Sequence, residues 1–121
     1  MAYPNVRVFN EERVSVATTS VGATPVACYV GNPTKGYITK ISAVTQGTIT
    51  TADATITVAV NGTTNANLAG KIPVASAAAG QIATWVPLTN VFLNEDDVLT
   101  FTPSGASGAT IGCVFTIYTR E

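Results

Sequence analysis

Residues 36–62, GYITKISAVTQGTITTADATITVAVNG, decide the reading of this chain. Within it, Ala54, Ile56, Val58 and Val60 alternate with Thr55, Thr57, Ala59 and Asn61. A period of two is what a β-strand shows when one face is buried and the other meets solvent. Asn61-Gly62 ends the run with the dipeptide that most readily takes the left-handed turn conformation. Upstream, residues 37–45 are β-branched and aromatic but alternate less cleanly, as in a strand covered on both faces. The stretch reads as two long strands joined by a turn, a central hairpin.

Working outward, short β-type runs recur at regular intervals. Val14 and Val16 alternate with Ser15 and Ala17, and residues 25–30 follow before the turn cluster Gly31-Asn32-Pro33-Thr34. Residues 63–70 are polar and loop-like, 71–74 form a short strand, and 75–80 (ASAAAG) form a loop. Residues 81–86 make a strand that contains Trp85 and is closed by Pro87. Residues 97–102 alternate again, and 103–108 (PSGASG) make a turn. The last strand, 110–118, sets Ile111, Cys113, Phe115 and Ile117 on one face. With about seven to nine strands, no convincing helix and frequent turn signals, the fold class is all-β: an antiparallel β-sandwich, jelly-roll-like.

The 121 residues fit one domain with its own core. Hydrophobic residues are 46% of the chain and charged residues 11%, where about 25% is usual. With a net charge of −1, copies repel one another weakly, which favours an assembly subunit whose surface is covered by partners. The basic residues Arg7, Arg13, Lys35, Lys40, Lys71 and Arg120 are scattered, so nucleic acid is not an expected partner. No apolar run has transmembrane length and the first residues lack a signal-peptide layout, so no membrane partner and synthesis in the cytoplasm are expected. Cys28 and Cys113 sit among alternating apolar residues as small buried hydrophobes, with a single disulfide as the alternative.

Residues 1–13, MAYPNVRVFNEER, keep neither a helical nor a strand period. They read as an extended N-terminal arm that orders against a partner, with the β-sandwich domain at 14–121. The chain has no histidine, which removes the commonest general base and metal ligand, so neither catalysis nor a cofactor is expected. Asn94-Glu95-Asp96-Asp97 could be a calcium ligand set, but without EF-hand spacing it reads as a turn whose side chains bond local backbone N–H groups. Trp85, Tyr37, Tyr29 and Tyr118 fall on four different predicted strands, and such aromatics suit a core or a subunit interface.

Three stretches carry a resemblance: TADATITVAVNGT at 51–63, LNEDDVLTFTPSGAS at 93–107 and GCVFTIYTRE at 112–121. Taken with the Gly-Tyr-Ile opening of the central stretch, they resemble small head decoration (cement) proteins of tailed bacteriophages over residues 35–121. The chain departs from that pattern at Asp96-Asp97, where such proteins often have Gly-Asp. The resemblance implies a structural virion protein on the outer capsid surface, a homotrimer that binds the major capsid protein and fastens neighbouring capsomers. Tyr3, Pro4, Val6, Arg7, Phe9 and Arg13 of the arm are the expected capsid contacts, and Tyr37 and Trp85 the expected subunit interface. A receptor- or carbohydrate-binding domain of a viral fibre or tail is the alternative.

Overall fold

The computed structural model describes residues 11–32, 34–50, 52–73, 81–105 and 109–120. Among these residues ten strands run in the order β1 (Glu11–Thr18), β2 (Cys28–Gly31), β3 (Gly36–Thr45), β4 (Ala54–Val60), β5 (Thr63–Thr64), β6 (Gly70–Ile72), β7 (Ile82–Trp85), β8 (Phe92–Leu93), β9 (Val98–Pro103) and β10 (Cys113–Arg120). A single 3-10 turn, Ala66–Leu68, is the helical element among the described residues. Sheet A has the order β1-β10-β3-β7, with β8 also on β3; sheet B has the order β2-β9-β4-β5, with β6 also on β4.

The winding is that of a jelly roll. β5 and β6 both pair with β4, at its two ends, and act as one interrupted strand. β7 and β8 share β3 in the same way. With each pair counted once, both sheets have four ladder positions, and every ladder is antiparallel. All remaining connections pass from one sheet to the other, apart from the β4–β5 hairpin, which gives two Greek keys wound as a pair.

This corrects the central hairpin. β3 lies in sheet A and β4 in sheet B, so residues 46–53 cross between the layers. Alternation records which face of a strand is buried and carries nothing about its partner. The hairpin that does form is β4–β5, closed by Asn61 at φ 50° and Gly62 at φ 84°, two consecutive left-handed residues as a type I′ turn requires.

Between the sheets, Ile56 and Val58 of β4 and Leu99 and Phe101 of β9 meet Ile41 of β3 and Phe115 and Ile117 of β10 in one buried cluster. Phe101 and Phe115 stack across the layers with centroids 4.7 Å apart and planes at 2°. Such a pair contributes about 0.5–1.5 kcal/mol beyond its burial. Cys28 and Cys113 are both free and buried in this core. Val26, grouped with Cys28 in the sequence pattern, is exposed.

One boundary and one irregularity within a strand matter later. β1 begins at Glu11, so Glu11, Glu12 and Arg13, assigned to the arm, pair with Arg120, Thr119 and Tyr118. Backbone pairing needs no side-chain period, and at this end of the sheet even Glu12 is solvent-exposed. β3 carries one extra residue: Tyr118 pairs with Lys40 while Thr119 pairs with Ile38, leaving Thr39 as a bulge. Thr39 and Lys40 are consequently both exposed, and Ile38 and Ile41 both buried.

Candidate functional site

The outer face of sheet A changes character along its strands. At one end Ala17, Val114, Val44 and Ile82 are cross-strand neighbours, an apolar row. Ser15, Thr116, Ser42 and Thr84 form the next row, with a 2.9 Å hydrogen bond between the Ser15 and Thr116 hydroxyls. Toward the end where β1 begins, the face becomes aromatic and basic.

Three adjacent strands place Arg13, Tyr118 and Lys40 side by side. Lys40 Nζ lies 4.4 Å from the Tyr118 ring centroid and Arg13 Cζ 5.8 Å from it. Each cation–ring contact is worth about 0.5–1 kcal/mol at an exposed site. No carboxylate among the described residues forms an ion pair with Arg13 or Lys40; the salt bridge found there joins Lys71 to Asp53 at 3.7 Å. Two like charges thus share one ring without an anion. The bulge at Thr39 makes this possible by aiming Lys40 outward, and the Thr39 hydroxyl fixes it by donating to the Tyr118 carbonyl at 3.2 Å.

Beside this cluster, Tyr37 meets Phe92 edge-to-face at 5.1 Å across the β3–β8 ladder. Their side chains remain 49% and 45% exposed, far more than aromatics of a finished core. In the same row, Glu11 pairs with Arg120 and Arg120 with Tyr37. The face therefore combines three basic residues with three aromatics.

Around the corner from it lies the acidic turn. The Asp97 carboxylate accepts from the Asn94 backbone N–H at 2.8 Å and from Asn61 Nδ2 at 2.9 Å. Asn61 Oδ1 in turn accepts from the Val98 N–H. Buried Asn32 donates through Nδ2 to the carbonyls of Thr34 and Asn94, and its own carbonyl accepts from the Asp96 N–H. Asn32 Oδ1 is buried without a donor, for which the structure offers no physical reason. Asp96 takes φ 69°, the left-handed conformation that glycine adopts most easily. Asp97 is thus a structural clamp, while the side chains of Glu95 and Asp96 stand exposed on a rigid backbone.

The structure treats the expected site residues unevenly. Tyr3, Pro4, Val6, Arg7 and Phe9 lie outside the described residues. Arg13 and Tyr37 come together on the face above. Trp85 points inward at the margin where β6 meets β7, donating from Nε1 to the Leu68 carbonyl at 2.9 Å. It lines a groove of about 610 Å³ together with Gly70, Lys71, Gln81, Ile82 and Thr84, between the strands that residues 74–80 join. Lys40 and Phe92 were not singled out from sequence, because neither shows its neighbours until the register is known.

Both thiols are buried and held in the protonated form at neutral pH. Burial pushes Cys28 up to about 11 and Cys113 up to about 12, with the nearby Cys28 adding to the Cys113 shift and the Val44 backbone opposing it. Nucleophilicity belongs to the thiolate, which both sites disfavour. No protein-family model matches the chain, and no curated protein matches its sequence.

Proposed function

We propose that this protein is a structural virion component that binds the outer surface of a phage capsid as a trimer and stabilises it by bridging capsomers. The observation that carries this reading is the outer face of sheet A, where Arg13, Lys40 and Tyr118 lie beside the exposed Tyr37–Phe92 pair. Aromatic and arginine side chains are the residues that interfaces favour. The face also adjoins Glu11, where the N-terminal arm joins the sandwich. In this reading the face serves the contact between copies, and residues 1–10, which join the sandwich at Glu11, serve the contact with the capsid. Weak contacts from each copy would multiply through the trimer, so that no single protomer need bind tightly.

The test is co-sedimentation with capsids of the parent phage, using the full chain and a variant lacking residues 1–10. The cut spares β1, which starts at Glu11, so the truncated protein should stay folded and oligomeric while losing capsid binding. Undiminished binding by the truncated protein would remove the arm from the mechanism, and no binding by the full chain would overturn the reading.

A second reading, a carbohydrate-binding domain of a viral fibre or tail, draws on the groove at Trp85, since an indole beside polar groups suits a sugar ring. Saturable quenching or enhancement of Trp85 fluorescence by a glycan would favour it over decoration.

A further inference from the structure

Two groups of charged side chains on the sandwich are complementary and form no ion pair with each other within one protomer. On sheet A, Arg13 and Lys40 flank the Tyr118 ring with no ion-pair partner among the described residues. At the 94–97 turn, Glu95 and Asp96 are exposed and likewise form no ion pair there. Both surfaces are preorganised: the cations by two neighbouring ladders and the Thr39 bulge, the carboxylates by the Asn32–Asp97–Asn61 network. Phe92 lies two residues before Asn94 in sequence and meets Tyr37 edge-to-face. A chain of net charge −1 that leaves two cations and two carboxylates fixed on separate rigid supports has the elements of a head-to-tail contact.

We infer that the Glu95–Asp96 turn of one copy docks on the Arg13–Tyr118–Lys40 face of the next. The inference rests on the self-association in the proposed function and names the surfaces that carry it. Each copy uses two different patches, so the interface is heterologous and closes into a ring when the rotation between copies allows. Exposed ion pairs alone are weak, and the apolar area of Tyr37 and Phe92 supplies the burial. The charges set register and partner choice, because juxtaposed like charges in the wrong arrangement are costly.

Charge reversal tests it on the full-length protein. Arg13→Glu with Lys40→Glu reverses the face. Glu95→Arg with Asp96→Asn reverses the turn while keeping a residue that tolerates positive φ. By light scattering, each pair should weaken self-association by at least roughly tenfold, and the four substitutions combined should restore it to within about threefold. Circular dichroism checks that each variant is folded, and Arg13→Gln with Lys40→Gln replaces the reversal if it is not. A monomeric wild type, unchanged mass in either reversed pair, or no recovery in the combined variant would overturn the inference. Capsid co-sedimentation on the same samples separates the two ideas. A monomeric wild type that still binds capsids sinks this contact and leaves decoration standing. Loss of capsid binding with self-association intact in the face variant gives that face to the capsid protein instead.

Discussion

Gly70→Ala should destabilise this protein, although a strand glycine is ordinarily a place where alanine helps. In a strand the added methyl removes backbone freedom from the unfolded chain, worth about 0.5–1 kcal/mol in favour of the variant. Here the new Cβ would fall 2.6 Å from Trp85 Nε1 and closer still to Cδ2 and Cε2. No atom pair survives at that separation, so the indole must move. Moving it breaks the 2.9 Å bond from Nε1 to the Leu68 carbonyl, about 1 kcal/mol. It also returns some of the ring to water; about 50–80 Å² at 25 cal/mol per Å² adds about 1–2 kcal/mol. Set against the backbone gain, the net expectation is a loss of about 1–2.5 kcal/mol, or a urea midpoint lowered by about 0.5–1 M for an m-value of about 2 kcal/mol per M. Trp85 is the sole tryptophan, so the native emission should shift to the red along with the midpoint. The decisive control is the double-mutant cycle: with Trp85→Ala in place, Gly70→Ala should no longer destabilise and should show the backbone gain of about 0.5–1 kcal/mol instead. A single variant with unchanged midpoint and emission, or an equal loss in the Trp85→Ala background, refutes this account of how the sandwich closes at β6 and β7.

The remaining expectations are narrower. Asp97→Ala removes the acceptor for the Asn94 N–H and Asn61 Nδ2 and should cost about 2 kcal/mol in a thermal melt, with Asp97→Asn between it and the wild type. An Asp97→Ala melt that coincides with the wild type would mean the turn holds itself. Both thiols should resist an aromatic disulfide reagent in the native state and react on unfolding. Stability should also decline in alkali. Below pH 9.0 the thiols are protonated in both states, but above it the unfolded chain releases protons that the folded chain keeps to about 11 and about 12. The loss is up to about 1.4 kcal/mol per pH unit for each thiol, and Cys113→Ala should remove about half of that slope between pH 9 and 11. A slope that stays the same without Cys113 would assign the alkaline decline to other groups.

What could be read from the sequence was the face each strand buries. In β4 and β10 the apolar positions expected inward, Ile56, Val58, Cys113, Phe115 and Ile117, are buried. Their outward neighbours Thr55 and Thr57 are exposed and Thr116 half-buried. Strand partners were not readable, which is why β3 and β4 passed for a hairpin. β5 and β8, two residues each, are too short to show any period. Pro103 suggested a turn but ends β9, opposite Ile56, where β2 no longer runs alongside and the missing N–H goes unneeded.

The face on sheet A shows why a site can hide in a readable fold. Arg13, Tyr118 and Lys40 meet through two ladders that join distant parts of the chain. Their one local trace was the uneven alternation of residues 37–45, which looked like a strand covered on both sides. Its upper half is indeed buried on both faces at Ser42 and Ala43, yet the irregularity itself comes from the bulge. Were Thr39 paired regularly instead of bulged, strict alternation from Tyr37 would put Lys40 into the core and Ile41 into solvent. Bulging that one residue avoids both errors together, keeping Ile38 and Ile41 inside and delivering Lys40 to the Tyr118 ring. The device that completes the core therefore also builds the charged surface, and a defect in hydrophobic alternation marks where the strand does more than pack.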